Sequence, residues 1–327
     1  MLAMVLQEIG GPLVPEERPD PIPGPGEVRI RVEACAVCRT DLHVIDGELP
    51  QAVYPIVPGH EVVGIVEAVG EGVTDPAPGQ RVGVPWLGHA CGHCRYCKTD
   101  RENLCNAPGF TGCTRDGGFA THLLAEAAFT IPLDTSLDPV ATAPLLCAGL
   151  IGWHTLRMAE DADTVGLYGF GAAAHIVAQV CRWQGRRVFA LTRPGDRKAQ
   201  DFARSLGAEW AGGSDEAPPE PLDAALIFAP DGRLVPTALA ELRKGGCVVC
   251  GGIHMSDIPR FPYELLWEER SVRSVANATR ADARGFFELV PRAGIVTRTR
   301  TFPLVQANAA IAAHRSGALQ GAAVLVP

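Results

Sequence analysis

No window of the 327 residues holds 18 apolar residues in succession, so a membrane-spanning helix is not expected. The chain also lacks the basic segment, apolar core and small-residue cleavage site of a secretory leader, since it opens Met1-Leu2-Ala3-Met4-Val5-Leu6-Gln7-Glu8. Runs of lysine and arginine are missing too. The 29 basic residues are outnumbered by 37 acidic ones, for a formal net charge of -8. A dense basic patch that neutralises phosphates is therefore excluded, and neither nucleic acid nor an anionic membrane is an expected partner. These deficits together predict a soluble, unsecreted, cytoplasmic protein.

Cysteine, by contrast, is abundant, with eleven residues. An odd number in a long chain, clustered at short spacings, points to metal binding in a reducing compartment and not to a disulfide scaffold. Cys35, Cys113, Cys181, Cys247 and Cys250 mostly sit among apolar residues and read as small core side chains. The other six suggest two metal sites.

The first lies in Cys38-Arg39-Thr40-Asp41-Leu42-His43 and Gly59-His60-Glu61. A thiolate and an imidazole suit Zn²⁺, and a catalytic zinc takes three protein ligands and keeps one position open. Cys38 and His60 supply two. The third comes from elsewhere, and Cys147, in Pro144-Leu145-Leu146-Cys147-Ala148-Gly149, is the candidate that this need promotes from core filler. The second site is Cys91, Cys94, Cys97 and Cys105, spaced C-x₂-C-x₂-C-x₇-C. Four thiolates close a tetrahedron with no open position, so this zinc is expected to fold a loop that has no core of its own.

The length suits two domains. From Met1 to about Ala128, short β-like runs broken by Pro and Gly, such as Val28-Arg29-Ile30-Arg31-Val32, predict a β-rich, barrel-like unit. From Asp163 strand and helix alternate: a strand over Thr164–Tyr168, a helix over Ala172–Trp183, a strand over Arg187–Leu191, a helix over Arg197–Leu206, and further strands near Leu222–Ala229, Gly246–Ile253 and Ser271–Ala276. That alternation predicts a doubly wound parallel sheet. Beyond Asn277 the barrel-like composition returns. The expected division is 1-149 with 277-327 as one domain and 150-276 as a dinucleotide-binding domain inserted in it.

Gly169-Phe170-Gly171-Ala172-Ala173-Ala174, between a strand and a helix, has the character of a pyrophosphate-binding turn. An NAD site expects Asp or Glu at the end of the next strand, but the chain reads Thr192-Arg193, with Arg197 and Lys198 following. Arginine there suits a 2′-phosphate, so NADP is expected over NAD.

Cys38-x-Thr40-Asp41-x-His43, Gly59-His60-Glu61, the four-cysteine lobe, Gly117-Gly118-Phe119-Ala120, Cys147 and the glycine turn stand in the order of the zinc-dependent medium-chain alcohol dehydrogenases. The chain resembles this family along nearly its whole length, and most of all a bacterial subgroup of broad or undefined substrate. The resemblance implies an α/β protein with a β-rich GroES-like catalytic domain and a Rossmann domain, and hydride transfer between a small alcohol or aldehyde and a nicotinamide cofactor. It implies that Cys38, His60 and Cys147 bind the catalytic zinc, with Glu61 as an exchanging ligand, and that Asp41 orients His60. Arg39 would face the cofactor pyrophosphate, and Gly252 and Ile253 the nicotinamide. Thr40 would accept the alcohol proton and pass it, by way of the cofactor ribose, to His43 and solvent, with domain closure excluding water. Relatives carry a C-terminal basic residue where Gln320 aligns, and Arg315 is the nearest substitute.

Two rivals stand beside this reading: a polyol or amino-alcohol dehydrogenase of the same superfamily, and a non-catalytic zinc-thiolate redox sensor. A sensor has no use for Thr40 and His43. Trp86, Leu87, Phe110 and Trp267 are candidate linings of an apolar substrate cleft, and a homo-oligomer, dimer or tetramer, is expected.

Overall fold

Valine and isoleucine alternate with charged residues along Glu27–Ala36, and in the computed structural model this strand buries Val28, Ile30, Val32 and Ala34 on one face. The model describes every residue except Ala318 and Gln320. The Glu27–Ala36 strand lies within a seven-stranded sheet. It pairs antiparallel with Glu61–Val69 and His122–Glu126, and with Ala322–Val326 at its C-terminal end. Its partners carry Val62, Val66, Leu123 and Leu325 to the same core, where Val82 and Phe119 are also buried. Each such side chain contributes about 1.5–3 kcal/mol when fully withdrawn from water. The pairing sets the position of the site directly. Ala36 lies opposite Glu61, so Cys38 leaves the end of one strand as His60 enters the start of its neighbour.

The chain divides into two compact units. The first comprises Met1–Ala148, Asn277–Phe287 and Val296–Pro327, and the second Gly149–Ala276 and Glu288–Ile295. The segment Glu288–Ile295, expected with the first, groups with the second, where Arg292 stacks over the Trp183 ring at 5.3 Å.

Six parallel strands build the sheet of the second unit, in the spatial order Trp210–Gly213, Arg187–Thr192, Thr164–Tyr168, Leu222–Ile227, Leu242–Cys250, Ser271–Ser274. Numbered by sequence, that is 3-2-1-4-5-6, the doubly wound order that binds dinucleotides where the winding reverses. The reversal falls beside Thr164–Tyr168, and Gly169 follows that strand with φ 85°. The strand Trp210–Gly213 was not expected: it is four residues long and ends in two glycines, too short to show a period. Among the described residues no single helix is long and apolar enough to cross a membrane.

Candidate active site

Directly after the strand Glu27–Ala36 the chain forms a seven-residue helix, Arg39–Ile45, where the sequence had suggested only a metal-binding floor. Asp41 explains the helix start. One of its carboxylate oxygens accepts from Cys38 N at 2.7 Å, closing a capping box. The other oxygen accepts from Gly59 N at 3.2 Å and from His60 Nδ1 at 3.1 Å. Asp41 is fully buried, and three donors offset its burial. One side chain thus ties the helix start to the loop that carries His60. Gly59 is required in that loop: its φ is 98°, and a Cβ there would lie 2.4 Å from the Phe119 ring.

Cys147 reaches the same place from a different direction. It falls in the break between a short 3₁₀ turn, Ala143–Leu146, and the helix Ala148–Arg157. Its sulfur lies 3.6 Å from that of Cys38. Two thiolates on a tetrahedral zinc, each about 2.3 Å from the ion, sit about 3.8 Å apart. Cys38, His60, Glu61 and Cys147 each place a donor atom within 4.8 Å of all the others.

The electrostatics of this group suit a bound cation. His60 Nε2 is buried with no hydrogen-bond partner. Burial works most strongly against charge on the imidazole, but the Asp41 carboxylate and the Cys38 thiolate together outweigh it and hold His60 well above its usual range. Glu61 is pushed well up, first by burial and then by the Cys38 thiolate. The two sulfurs divide one proton: Cys147 holds Cys38 well down, and Cys38 holds Cys147 well up. An orphaned ring nitrogen, two crowded thiols and a desolvated carboxyl are the donor set of Zn²⁺.

Thr40, nearly buried, sets its hydroxyl 3.8 Å from the Cys38 sulfur. His43 lies one turn further along the same helix, and its Nδ1 donates to Glu48. The sequence reading missed Glu48, although a carboxylate five residues after a histidine, just past a glycine, was the available signal. Arg315 forms a two-point ion pair with Asp46, at 2.7 and 2.8 Å. Arg315, the nearest substitute for the relatives' C-terminal basic residue, is thus taken up by Asp46. Gln320 lies outside the described residues. Trp86 packs edge-on to His60 with ring centroids 5.0 Å apart and stacks on Phe110 at 4.9 Å, and Leu87 is buried in the same core. Trp267 belongs to the second unit, exposed against Tyr263.

Cys91, Cys94, Cys97 and Cys105 also converge, with sulfurs within 4.8 Å of one another. Backbone N–H groups already point at them: Cys91 N and Ala107 N at Cys105, and Cys94 N at Cys91. Donation from the Cys97 and then the Asn106 backbone lowers the Cys94 thiol to about 6. The lobe is fastened to the chain near residue 280: Glu102 accepts from Arg280 N at 3.0 Å, and Asn277 donates to Asn103 O at 2.9 Å.

In the second unit, Gly171 caps the helix Ala172–Trp183 without a side-chain acceptor, so no side chain of its own covers the first-turn N–H groups at Ala172 and Ala173. A Cβ on Gly171 would meet nothing within 4 Å, which leaves room for a phosphate beside those donors. Phe170 in the same turn packs edge-on to Phe202. Thr192, expected to face the cofactor, is buried instead, and its hydroxyl is committed to Gly212 O and Arg193 O. Its place at the last paired residue of its strand explains this, since the hydroxyl closes the gap to the neighbouring strand. Arg193, Arg197 and Lys198 are exposed, and among the described residues none has an ion-pair partner. Gly252 and Ile253 follow the strand Leu242–Cys250, with Ile253 exposed.

Residues 24–135 match the alcohol dehydrogenase GroES-like domain. A probable alcohol dehydrogenase of Mycobacterium tuberculosis is 44% identical over 97% of this chain and 93% of its own. Among solved structures, a cobalt- and zinc-bound thermostable alcohol dehydrogenase from Pyrobaculum aerophilum is 26% identical with a TM-score of 0.88, covering 100% of this chain and 99% of that one. A zinc-binding dehydrogenase of Sinorhizobium meliloti, solved bound to NADP, is 26% identical with a TM-score of 0.86, covering 100% and 99%. Two converged metal clusters, a GroES-like unit, a 3-2-1-4-5-6 parallel sheet and relatives that align from end to end place the chain in the zinc-dependent medium-chain dehydrogenase/reductase family, close to the bacterial alcohol dehydrogenases.

Proposed function

We propose that this chain oxidises a small, mostly apolar alcohol to its aldehyde or ketone, and reduces the carbonyl in reverse, with NADP as its preferred partner. Hydride transfer is its reaction class, and zinc and a nicotinamide nucleotide are its cofactors. One observation carries the assignment: His60 Nε2 is buried and unpartnered beside Cys38, Cys147 and Glu61, with the Thr40 hydroxyl at the edge of the group. Cys38, His60 and Cys147 hold the catalytic zinc, and Cys91, Cys94, Cys97 and Cys105 the structural one. When bound, the catalytic zinc supplies a Lewis acid that makes the substrate hydroxyl easier to deprotonate.

The chain's own residues do the rest. Asp41 accepts from His60 Nδ1 and so fixes the tautomer whose Nε2 lone pair is free for the metal. Glu61, whose pKa is raised first by burial and then by the Cys38 thiolate, is a reserve ligand whose carboxylate a bound cation would favour. Thr40 takes the hydroxyl proton and His43 carries it toward solvent. Trp86 and Phe110 make the approach to His60 apolar, which favours a substrate without further polar groups. The uncapped turn at Gly169, Phe170, Gly171, Ala172 and Ala173 receives the pyrophosphate. Arg39, exposed at the start of the Arg39–Ile45 helix and without an ion-pair partner among the described residues, is a cation of the kind that suits a phosphate. Arg193, with Arg197 and Lys198, receives the 2′-phosphate, and Thr192 holds the strand end that presents them. Gly252 and Ile253 lie on the nicotinamide side.

The exposed Tyr263 and Trp267, near the edge strand Ser271–Ser274, support assembly as a homodimer or tetramer. Eleven free thiols support a cytoplasmic setting. The deciding measurement is a panel of alcohols and aldehydes with each nucleotide, alongside zinc per chain. Two zincs and a kcat/KM for NADP about tenfold above that for NAD are expected, because charge-assisted bonds to phosphate are the strong ones. A clear NAD preference refutes the Arg193 assignment. Preference for vicinal diols or amino alcohols refutes the simple-alcohol reading, and two zincs without turnover refute the enzyme.

A further inference from the structure

His43 stands in the last turn of the helix Arg39–Ile45, and the chain just beyond folds back onto its ring. Asp46 N donates to Leu42 O at 2.8 Å and Gly47 N to Val44 O at 3.2 Å, ending the helix. Gly47 makes the reversal with φ 71°, a left-handed conformation that strains other side chains, and a Cβ there would also push on the Ile9 side chain. After the reversal Glu48 meets His43 twice: its backbone N–H donates to His43 O at 2.9 Å, and its Oε2 accepts from the ring at Nδ1.

We propose that Glu48 is a positioning residue for the proton route: its carboxylate holds His43 as the Nδ1–H tautomer, leaves Nε2 as the ring's acceptor, and balances the charge when the ring is protonated. The proposal rests on the reading of His43 as a proton carrier. In a neutral imidazole one nitrogen donates and the other accepts, and the partner of the first decides which is which. The charges around His43 leave this task to Glu48. Asp46, within electrostatic reach of His43 and Arg39, is taken up by the two-point pair with Arg315 from the neighbouring helix Ala307–Arg315. Arg315 also feels Glu48. Among the described residues, however, Glu48 forms no ion pair within contact distance except with His43. The His43 side chain is 16% exposed and that of Glu48 57%, so the pair runs from a sheltered ring to an open carboxylate.

The test uses the zinc-loaded, full-length enzyme with ¹⁵N-labelled histidine, the His43 signals being identified by their loss in His43→Gln. Long-range ¹H–¹⁵N spectra are expected to show an Nδ1–H ring in the parent and a mixture of tautomers in Glu48→Ala. The kcat of Glu48→Ala is expected to fall about tenfold with KM and zinc content unchanged, a fraction of what general acid–base groups contribute. Glu48→Gln keeps an acceptor oxygen without the charge, so it should retain the tautomer and lose about threefold. It also serves as the test variant if Glu48→Ala does not fold. An unchanged ring spectrum in Glu48→Ala, or a kcat within twofold of the parent, overturns the proposal, as does loss of the tautomer in Glu48→Gln. Full turnover in His43→Gln instead overturns the proton-carrier reading, while the tautomer shift in Glu48→Ala still stands or falls by itself.

Discussion

The two metal clusters of the first unit use the same element, sulfur, in opposite surroundings. Around Cys91, Cys94, Cys97 and Cys105 the ligands are all cysteines within fifteen residues, and backbone N–H groups supply their secondary contacts. Cys38, His60, Glu61 and Cys147 span more than a hundred residues and meet only because a strand end, a strand start and a helix break converge. The local cluster is complete, with four donors of one kind and no place for a substrate. The long-range cluster is unequal: two thiols, one ring nitrogen without a partner and one carboxyl that burial makes harder to ionise. A closed donor set folds a loop, whereas an uneven and buried one leaves a coordination position for chemistry.

Replacing a ligand in the long-range cluster gives the largest effect. Cys38→Ser is expected to lower kcat by more than about a thousandfold, since it removes the thiolate and with it the Lewis acid. Metal analysis should find one zinc per chain in place of two, the remaining one in the four-cysteine lobe. Full activity, or retention of both zincs, would contradict the division of roles between the clusters.

A smaller loss is expected from the residue that makes the long-range cluster possible. Asp41→Asn keeps the shape but exchanges one acceptor oxygen for an NH₂ group, which must face either Cys38 N or the pair Gly59 N and His60 Nδ1 and leaves those donors without an acceptor. A loss of about 10- to 100-fold in zinc affinity and in kcat is expected, typical of groups that orient a metal ligand. Competition with a chromogenic chelator reads the first and initial rates the second. Affinity within twofold of the parent would mean that Asp41 serves the helix start alone.

How much of this was legible in the sequence follows the same division. The four-cysteine lobe is visible because its ligands are neighbours along the chain, where spacing alone implies a tetrahedron. The parallel sheet is also visible, because buried strands such as Thr164–Tyr168 and helices such as Ala172–Trp183 repeat a pattern long enough to recognise. Cys147 had no local mark: an apolar cysteine before a helix is ordinary, and only the pairing of Ala36 with Glu61 and the break at Leu146 bring it to Cys38. The helix Arg39–Ile45 was hidden because its cap is Asp41 acting backward on Cys38, in a segment of ligands where no apolar period is readable. Thr192 was misjudged because a hydroxyl at a strand end can face a ligand or the neighbouring strand, and composition does not separate the two. Arg315 went to Asp46 for a similar reason: a long cation takes the nearest carboxylate, and the fold, not the alignment, decides which is nearest.

The smallest effect on catalysis is expected from the local cluster, and it separates the two sites most sharply. Cys94→Ser removes the thiol that the Cys97 and Asn106 amides favour most as a thiolate, so its metal should be lost while Cys38, His60 and Cys147 keep theirs. The lobe contributes few buried apolar side chains, and its fastening runs through Glu102 to Arg280 and Asn103 to Asn277. Without the metal those contacts have to hold a segment that metal binding would otherwise fold. A stability loss of roughly 3 kcal/mol, or a fall in Tm of about 6–12 °C, is the expected scale. At 25 °C kcat should remain within about threefold of the parent, because no group in the lobe touches the substrate. Differential scanning calorimetry with metal analysis and steady-state rates measures all three. A collapse of kcat at full retention of the other zinc would show that the four-cysteine lobe shapes the active site, and that the division between a folding metal and a working one is drawn in the wrong place.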